Sequence, residues 1–485
     1  MIFLKTLSLI TWVLFFSNFA FSWAFFHHEK LYRQRWLEQH ILKTNLSDES
    51  STEHYFQQKL DHFKPINKET WSQRFWVDKS FHQKRGPAFL VIGGEQQATA
   101  AFYQSTNLKN YAKKFNAMFF YLEHRFYGRS LPKRDISTKN LVYLSSKQAL
   151  ADIANFIPGV TNQYNLSTDT EWIVFGCSYA GSLAAWARLK YPNLIHGAIS
   201  SSAPLLATTD FTEYYAVFKE SLDFINPTCS RKLTEANKHI RHLLQSDVGR
   251  KYVKDAFCLC CKVYNNMESA SNLFRLVQGY IENAVQSNLK QDIKIFCDFM
   301  SSPNITSIES YAKTIRFELH KQNRTCLDNC YGENIENLTS TNTDPANNVR
   351  QWWYQICTEF GWFPTTNKAT LDSLGIYIPV EYFIKLCENT FGSKFNGVYL
   401  KKSVIQTNTF YEGLKINVGN TVFIHGSLDP WRSLGITHPE IRNALYKTIY
   451  IKGAGHCGEI FTSNSGDVKK AQVEIANTLQ SWLQK

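Results

Sequence analysis

The sequence predicts an α/β protein in which a mostly parallel sheet carries helices on both faces and a large helical segment interrupts the sheet. Strand and helix patterns alternate over residues 51–204, long amphipathic helices dominate residues 205–344, and strand patterns return within residues 345–485. Strands that alternate with helices are joined by crossovers that cover both faces of a parallel sheet. We therefore expect residues 205–344 to form a helical cap inserted into the core, with residues 345–485 returning from the cap to the core.

Short apolar runs bounded by turn residues give the predicted strands, and helical spacing of apolar residues gives the helices. In the first part of the core, strands are expected at residues 70–77, 86–94, 117–123, 172–175 and 195–200, with a helix at 146–157. In the cap, amphipathic helices are expected at 234–248, 269–285 and 291–300. In the second part of the core, strands at 421–426 and 445–451 precede a final helix at 467–484.

One strand-to-helix turn places a serine where a nucleophile is expected. The run GCSYAG, residues 176–181, follows the buried strand pattern WIVF and precedes a helical pattern that ends at Pro192. This arrangement is typical of the nucleophile elbow of α/β-hydrolases, in which a strained turn exposes the serine hydroxyl. Because Ala180 takes the place of the usual glycine, a serine in an ordinary turn is the alternative. The sequence thus predicts an α/β-hydrolase fold with Ser178 as its nucleophile.

An acid and a base follow two later strands. Asp429 comes after the strand at 421–426, and His456 comes after the strand at 445–451. The carboxyl ends of parallel strands meet at one edge of the sheet, where open α/β folds build their sites. The order Ser178, Asp429, His456 is the order of this fold. We therefore predict a catalytic triad, although Asp429 before Pro430 could instead only begin a turn and His456 could be a structural loop residue.

Two backbone N–H groups are predicted to form an oxyanion hole. One belongs to Tyr179, the residue after the nucleophile, and the second to Gly94, which ends an upstream strand. Glycine lets the backbone approach a ligand closely, although a Gly93–Gly94 pair can also be a simple turn.

The N-terminus and the cysteines indicate the secretory pathway. Residues 1–22 have the pattern of a cleaved signal peptide, with a membrane anchor as the alternative. Eleven cysteines fit an oxidising compartment, and the clustered ones are expected to form disulfides in the cap. Cys177 is predicted to be the unpaired thiol because it lies at the buried elbow. Glycosylation is expected at five sequons, at Asn45, Asn165, Asn304, Asn323 and Asn337.

The charge pattern argues against several other classes of protein. A net charge of +12 invites a nucleic-acid interpretation, but the basic residues are scattered and no nucleic-acid motif is present. Cys258, Cys260 and Cys261 lack the matched ligand spacing of a zinc site. We expect no metal, no cofactor, no nucleic-acid partner and no transmembrane segment in the mature chain. A homodimer is one arrangement left open.

Several motifs resemble the serine carboxypeptidase family that contains prolyl carboxypeptidase and dipeptidyl peptidase II. These are GCSYAGSLAAWARLKYP (176–192), EHRFYGRSLP (123–132), YLSSKQALADIANFI (143–157), YQICTEFGWF (354–363) and GSLDPWRSLG (426–435). In this family the elbow usually reads Gly-Gly-Ser-Tyr, so Cys177 is a departure.

The resemblance implies an α/β-hydrolase fold with a helical cap, peptide substrates and residence in endosomes or lysosomes. It also implies that Ser178, Asp429 and His456 are the triad and suggests a role in antigen-peptide processing. The substrate pocket is expected to include Glu95, Glu359, Trp362, Trp431 and Ser182. Ser182 stands where prolyl carboxypeptidase-like sequences carry a larger apolar residue, which argues against a strict requirement for proline.

Two other functions are compatible with the same fold. An esterase or lipase is one, although no HGGG-type segment follows the early strand. A peptide-binding relative without catalysis is the other, although all three triad residue types are present. A charged side chain is needed to bind a peptide terminus in an exopeptidase, and Glu95, Glu359, Arg125 and Arg432 are the candidates.

Overall fold

A mixed sheet of eight strands runs through the computed structural model, which describes residues 52–438, 445–461, 463 and 465–483. The strand order across the sheet is β1-β2-β4-β3-β5-β6-β7-β8. The strands are β1 His54–Lys59, β2 Thr70–Asp78, β3 Ala88–Ile92, β4 Met118–Leu122, β5 Trp172–Cys177, β6 Gly197–Ser201, β7 Thr421–Gly426 and β8 Lys447–Ile451.

The sheet is antiparallel at one edge and parallel elsewhere. β2 pairs antiparallel with β1 and with β4, whereas every pair from β4–β3 across to β7–β8 is parallel. The central strands are buried on both faces, so they read as continuous apolar runs such as Ala88–Ile92. This is the predicted α/β-hydrolase fold. Its parallel strands all end at one edge of the sheet, where the loops after β5, β7 and β8 meet.

Helices cover both faces of the sheet and fill the chain between β6 and β7. Those packed around the first part of the sheet are α1 Ala100–Ser105, α2 Leu108–Lys114, α3 Ser146–Gln163 and α4 Tyr179–Lys190. Between β6 and β7 lie α5 Glu213–Ile225, α6 Pro227–Leu243, α7 Asp247–Ala256, α8 Met267–Gln286, α9 Lys290–Met300, α10 Ser307–Lys321, α11 Tyr331–Thr339, α12 Val349–Gln355, α13 Lys368–Leu374, α14 Val380–Phe391 and α15 Gly397–Tyr411. The last helix is α16 Gly466–Leu483.

The two faces of the sheet bury different cores. Val174 points into a core shared with α3, α4 and the helices between β6 and β7. Its neighbours Ile173 and Phe175 point to the opposite core, which α1, α2 and α16 cover. This alternation follows from the two-residue period of a strand.

The sequence-predicted strands are confirmed, as are the helices at 146–157, 269–285, 291–300 and 467–484. The single helix expected at 234–248 is divided at residues 244–246 between α6 and α7, and β1, α1, α2 and several helices between β6 and β7 were missed. β1 was missed because it is polar; its buried Gln58 donates to Gln73 Oε1 at 2.8 Å. α1 and α2, with six and seven residues, are too short to show a helical period. The predicted signal peptide and Asn45 lie outside the described residues. Among the described residues, no helix has the length and apolar character needed to cross a bilayer.

Five disulfides pair ten of the eleven cysteines, and the prediction for Cys177 is wrong. Cys177 is bonded to Cys457, 280 residues later, because the loop after β8 reaches the end of β5. Cys258 is the free cysteine instead. The other four bonds join helices and loops between β6 and β7: Cys229–Cys297, Cys260–Cys326, Cys261–Cys330 and Cys357–Cys387.

Candidate active site

Ser178 occupies a strained turn between β5 and α4. Its φ of 59° and ψ of −130° lie outside the regions that most L-residues adopt. Its N–H donates to Ser201 O at 2.9 Å, which ties the turn to the end of β6. A Cβ at Gly176 would come within 1.9 Å of Ala180 O, so the turn requires glycine there. Ser178 is partly exposed, as a nucleophile must be.

Asp429 and His456 form a hydrogen-bonded pair at the same edge of the sheet. His456 Nδ1 lies 2.8 Å from Asp429 Oδ2. A carboxylate can only accept, so Nδ1 carries the proton and Nε2 of the neutral ring is left as the basic nitrogen. Asp429 is fully buried, and its Oδ1 accepts from Trp431 N at 3.0 Å. Both carboxylate oxygens are therefore fixed in orientation.

The pKa of His456 lies above the usual value for histidine. Burial lowers this pKa, but the charge of Asp429 and the hydrogen bond to Asp429 raise it, and the charges of Glu95 and Glu459 act in the same direction. The net rise favours the imidazolium. The pair is thus suited to stabilise the positive charge that forms when His456 accepts a proton.

The elbow and the histidine loop are joined directly. The disulfide connects Cys177, the residue before Ser178, to Cys457, the residue after His456. Cys457 N donates to Ser202 Oγ at 2.9 Å. Ser178, Ser202 and Cys457 all have positive φ. Strained non-glycine residues therefore cluster where the ends of β5 and β6 meet the loop after β8.

The two predicted oxyanion residues lie beside each other at the start of α4. Tyr179 is the first residue of the helix, and Gly94 packs against the next residue, since a Cβ at Gly94 would lie 3.5 Å from Ala180 Cβ. The N-terminus of a helix presents free N–H groups and a partial positive charge. The arrangement can therefore stabilise a developing oxyanion.

An aromatic cluster joins the predicted pocket residues Trp362 and Trp431 to Tyr179. The ring centroid of Trp362 lies 6.4 Å from that of Tyr179 and 6.4 Å from that of Trp431. Trp362 is nearly fully buried and donates to Leu206 O at 2.9 Å, whereas Trp431 is partly exposed. Trp431 is therefore the better placed of the two tryptophans to contact a substrate.

The remaining predicted pocket residues lie in different environments. Glu95 is partly exposed beside the triad, and its charge acts on His456. The carboxylate of Glu359 accepts from Ser146 N at 2.9 Å and from Ser146 Oγ at 2.7 Å, so it is engaged at the start of α3. Ser182 is fully buried, and its Oγ donates to Pro204 O at 2.7 Å.

The two arginines proposed to bind a substrate terminus are engaged within the protein. Arg125 is buried and donates to both oxygens of Asp152 at 2.6 Å and to backbone carbonyls, including Leu60 O and Tyr143 O. No donor of Arg125 is left for a substrate, so that suggestion is wrong. Arg432 donates to Glu220 Oε2 at 2.8 Å.

Sequence reasoning missed the contribution of α8. At its C-terminal end, Gln286 O accepts from His456 N at 2.7 Å, and Gln286 Oε1 accepts from Trp431 Nε1 at 3.1 Å. Asn288, just beyond the helix, donates to Gly453 O at 3.0 Å. No local pattern indicates these contacts, because an amphipathic helix does not show where its end will dock.

Behind Tyr179 lies a buried polar network that also escaped the sequence analysis. Gln355 Nε2 donates to the Tyr179 hydroxyl at 2.9 Å. His124 Nδ1 lies 2.7 Å from Arg125 O, a carbonyl that can only accept, so His124 Nε2 accepts from the Tyr179 hydroxyl at 3.1 Å. Burial lowers the pKa of His124 to about 4, which keeps the ring neutral. The network fixes the side chain of the residue that follows the nucleophile.

Comparison with known proteins identifies the family. The sequence pattern of the family described as serine carboxypeptidase S28 matches residues 58–477. The thymus-specific serine protease of Homo sapiens is 30% identical over 448 residues, covering 88% of this chain and 86% of the relative. The lysosomal Pro-X carboxypeptidase of Homo sapiens is 29% identical over 434 residues, covering 85% of this chain and 84% of the relative. The chain therefore belongs to the serine carboxypeptidase S28 family and is a serine-type peptidase with an α/β-hydrolase fold.

Proposed function

We propose that the enzyme hydrolyses short peptides through a triad of Ser178, His456 and Asp429 and a covalent acyl-enzyme. Ser178 Oγ attacks the peptide carbonyl while His456 Nε2 takes its proton. The oxyanion accepts hydrogen bonds from the N–H groups of Tyr179 and Gly94. The C–N bond then breaks as His456 gives the proton to the leaving amine. Water, activated by the same imidazole, releases the acid product and restores the serine.

The hydrogen-bonded pair of His456 and Asp429, tied through Cys457 to the residue before Ser178, carries this proposal. A buried carboxylate on Nδ1 and a strained, partly exposed serine are the features that nucleophilic catalysis needs. An ordinary turn serine or a structural histidine requires neither feature. An esterase or a catalytically silent binder is less well supported, because the chain belongs to a family of serine peptidases.

Glu95 is proposed to bind the amino terminus of the substrate. It is partly exposed, and its charge acts on His456, so it lies near the reacting groups. A carboxylate in this position attracts an α-ammonium group and repels an α-carboxylate. Arg125, the buried cationic alternative, is fully engaged with Asp152 and backbone carbonyls. We therefore favour an exopeptidase that acts from the amino end of its peptides.

A mildly acidic compartment of the secretory pathway is the proposed location. Five disulfides fit an oxidising route, and the sequon residues Asn165, Asn304 and Asn323 are exposed. Asn337 is partly exposed and is proposed as a further glycan site.

Buried carboxyls also support an acidic environment. Burial raises the pKa of Glu282 to about 8, against opposing effects of Arg275 and Tyr215. A carboxyl with a raised folded pKa stabilises the fold while it is protonated, below its unfolded pKa near 4.5, and this contribution is lost as the pH rises toward 8. The raised pKa of His456 affects activity in the opposite direction, because the neutral imidazole that acts as base is more abundant at higher pH. The stability of the fold and the protonation of the base together favour mild acidity over strong acidity. A role in antigen-peptide processing stays a prediction of the family resemblance.

Labelling with a fluorophosphonate tests the nucleophile. The wild-type chain should be labelled at Ser178, and Ser178→Ala should lose both labelling and turnover, by about 10⁶-fold in kcat. Ser182→Ala, which removes a buried hydroxyl that is bonded to Pro204 O, is the matched control and should still be labelled. Normal peptidase turnover by Ser178→Ala would sink the proposal.

A peptide set with blocked ends tests the proposed role of Glu95. The same short peptides are offered with free or acetylated amino termini and with free or amidated carboxyl termini, and the products are identified by mass spectrometry. Acetylation should abolish cleavage and amidation should not. Glu95→Gln should raise KM for the free peptides. Cleavage that depends on a free carboxyl terminus would instead show that the enzyme acts from the carboxyl end of its peptides.

A further inference from the structure

One disulfide differs from the other four in what it connects. The Cys177–Cys457 disulfide, here called the 177–457 bridge, joins the end of β5 to the loop after β8 across 280 residues. The other four bonds lie between β6 and β7 and span 30 to 69 residues. The 177–457 bridge is therefore the one disulfide that connects the two parts of the sheet.

The position of the 177–457 bridge relates it to the reacting groups. Its two cysteines are the immediate chain neighbours of Ser178 and His456. A ring nitrogen of His456 and the two sulfur atoms all lie within 4.8 Å of one another. The bridge thus lies beside the imidazole as well as beside the nucleophile in sequence.

Hydrogen bonds connect the histidine loop to three neighbouring segments. His456 N donates to Gln286 O at 2.7 Å, and Cys457 N donates to Ser202 Oγ at 2.9 Å. Gly453 N donates to Ser427 Oγ at 2.8 Å, in the loop after β7. Among the described residues, the 177–457 bridge is the covalent link between this loop and β5, the strand that ends directly before Ser178.

We propose that the 177–457 bridge is a redox-sensitive positioning element that holds the His456 imidazole against Ser178. The inference rests on the proposed function, because it assumes that these two residues react. Cys177 is partly exposed and Cys457 is buried, so Cys177 Sγ is the sulfur that a small thiol can reach. The two cysteines act through their chain neighbours, Ser178 and His456.

A dithiol can open the bridge in a balanced exchange. Its thiolate attacks one sulfur and forms a mixed disulfide, and its second thiol then closes a cyclic disulfide and releases the other cysteine. Two electrons pass from the dithiol to the bridge, and the two protons of the dithiol end on Cys177 and Cys457. The histidine loop then keeps its hydrogen bonds to Ser202, Ser427 and Gln286 but loses its covalent link to β5, so the distance between base and nucleophile is less tightly fixed.

The first experiment removes the bridge by substitution. Cys177→Ser/Cys457→Ser is compared with Cys260→Ser/Cys326→Ser, which removes a disulfide that is remote in the chain from the triad. The bridge variant should lose about 10- to 100-fold in fluorophosphonate labelling rate and in kcat, with little change in KM. The control variant should keep its labelling rate and its kcat, each measured per folded molecule, within about twofold of the wild-type values.

A pH profile separates positioning from a merely structural role. The rate of Ser178 labelling against pH should show a displaced midpoint in the bridge variant, because the imidazole no longer holds its place beside Asp429. A loss of folding alone lowers the amplitude and leaves the midpoint unchanged. A folded bridge variant with the wild-type rate and midpoint would overturn the inference.

The second experiment uses the native chain, so it does not depend on the folding of a variant. The protein is titrated with a dithiol, freed thiols are alkylated, and the alkylated cysteines are identified by mass spectrometry. Loss of activity should follow alkylation of Cys177 and Cys457, and oxidation before alkylation should restore it. Loss of activity that instead follows alkylation of another cysteine pair contradicts the inference. If the oxidised wild-type chain is neither labelled nor active, the proposed function has failed instead.

Discussion

The loops at the edge of the sheet and the helices between β6 and β7 contribute to the site in different ways. The loops supply Ser178, on a strained turn, together with Asp429 and His456, and one disulfide joins the loops of Ser178 and His456. The helices are braced among themselves by four disulfides and by regular caps, such as Asn266 at the start of α8. They reach the site through the end of α8 and through Trp362.

The difference teaches that the reacting groups and the residues that support them come from separate parts of the chain. A strained turn and a covalent link hold reacting groups to a narrow geometry, which catalysis requires. The helices contact the same loops through hydrogen bonds and ring contacts, which can change without loss of the reacting geometry. Changes to Ser178, Asp429 or His456 should therefore affect kcat, and changes at the end of α8 should affect KM.

The largest expected effect is that of Asp429→Asn. The variant keeps Oδ1 as the acceptor for Trp431 N, so the turn survives. Its amide donates toward Nδ1 of His456, which forces the proton onto Nε2 and removes the base. We expect kcat to fall by about 10⁴-fold with KM nearly unchanged. Steady-state kinetics on a short peptide measure this, and a loss below tenfold would argue against the role assigned to Asp429.

A smaller effect on the helical side is expected from Gln286→Ala. The change leaves Trp431 Nε1 and the Tyr214 hydroxyl without their shared acceptor, at a cost of about 1–3 kcal/mol. KM should rise about five- to tenfold while kcat stays within about twofold. Asn283→Ala on the same helix, which loses only a bond to Gly279 O, is the control. Equal effects of the two variants would show that the end of α8 has no special role.

The smallest expected effect concerns pH. Glu459 is buried beside the triad, and its charge helps to raise the pKa of His456. Glu459→Gln should lower the pKa of His456, so that more of the base is neutral in acid. The acid limb of kcat/KM should move to lower pH, giving about two- to threefold more activity at pH 5.5. The exposed Glu333→Gln should leave the profile unchanged, and a shift in the opposite direction would contradict the electrostatic assignment.

Much of the fold and of the candidate site could be predicted because the signals are local. Buried parallel strands read as apolar runs, and Ser178, Asp429 and His456 each follow such a run in the order of the fold. The polar strand β1 was missed because its pairing with β2, and not its own pattern, makes it a strand. The position of Cys177 directly before the nucleophile and Cys457 directly after the base was an available signal for their pairing.

The sequence by itself determined the class of fold, the family and the three residues proposed to react. Periodicity and chain order suffice for these, since they depend on neighbouring residues and on the common direction of the strands. Only the tertiary structure decided that Cys177 is bonded to Cys457, that Arg125 is paired with Asp152 and that Gln286 contacts the histidine loop. Each of these depends on distances between residues far apart in the chain, and local patterns carry no information about such distances.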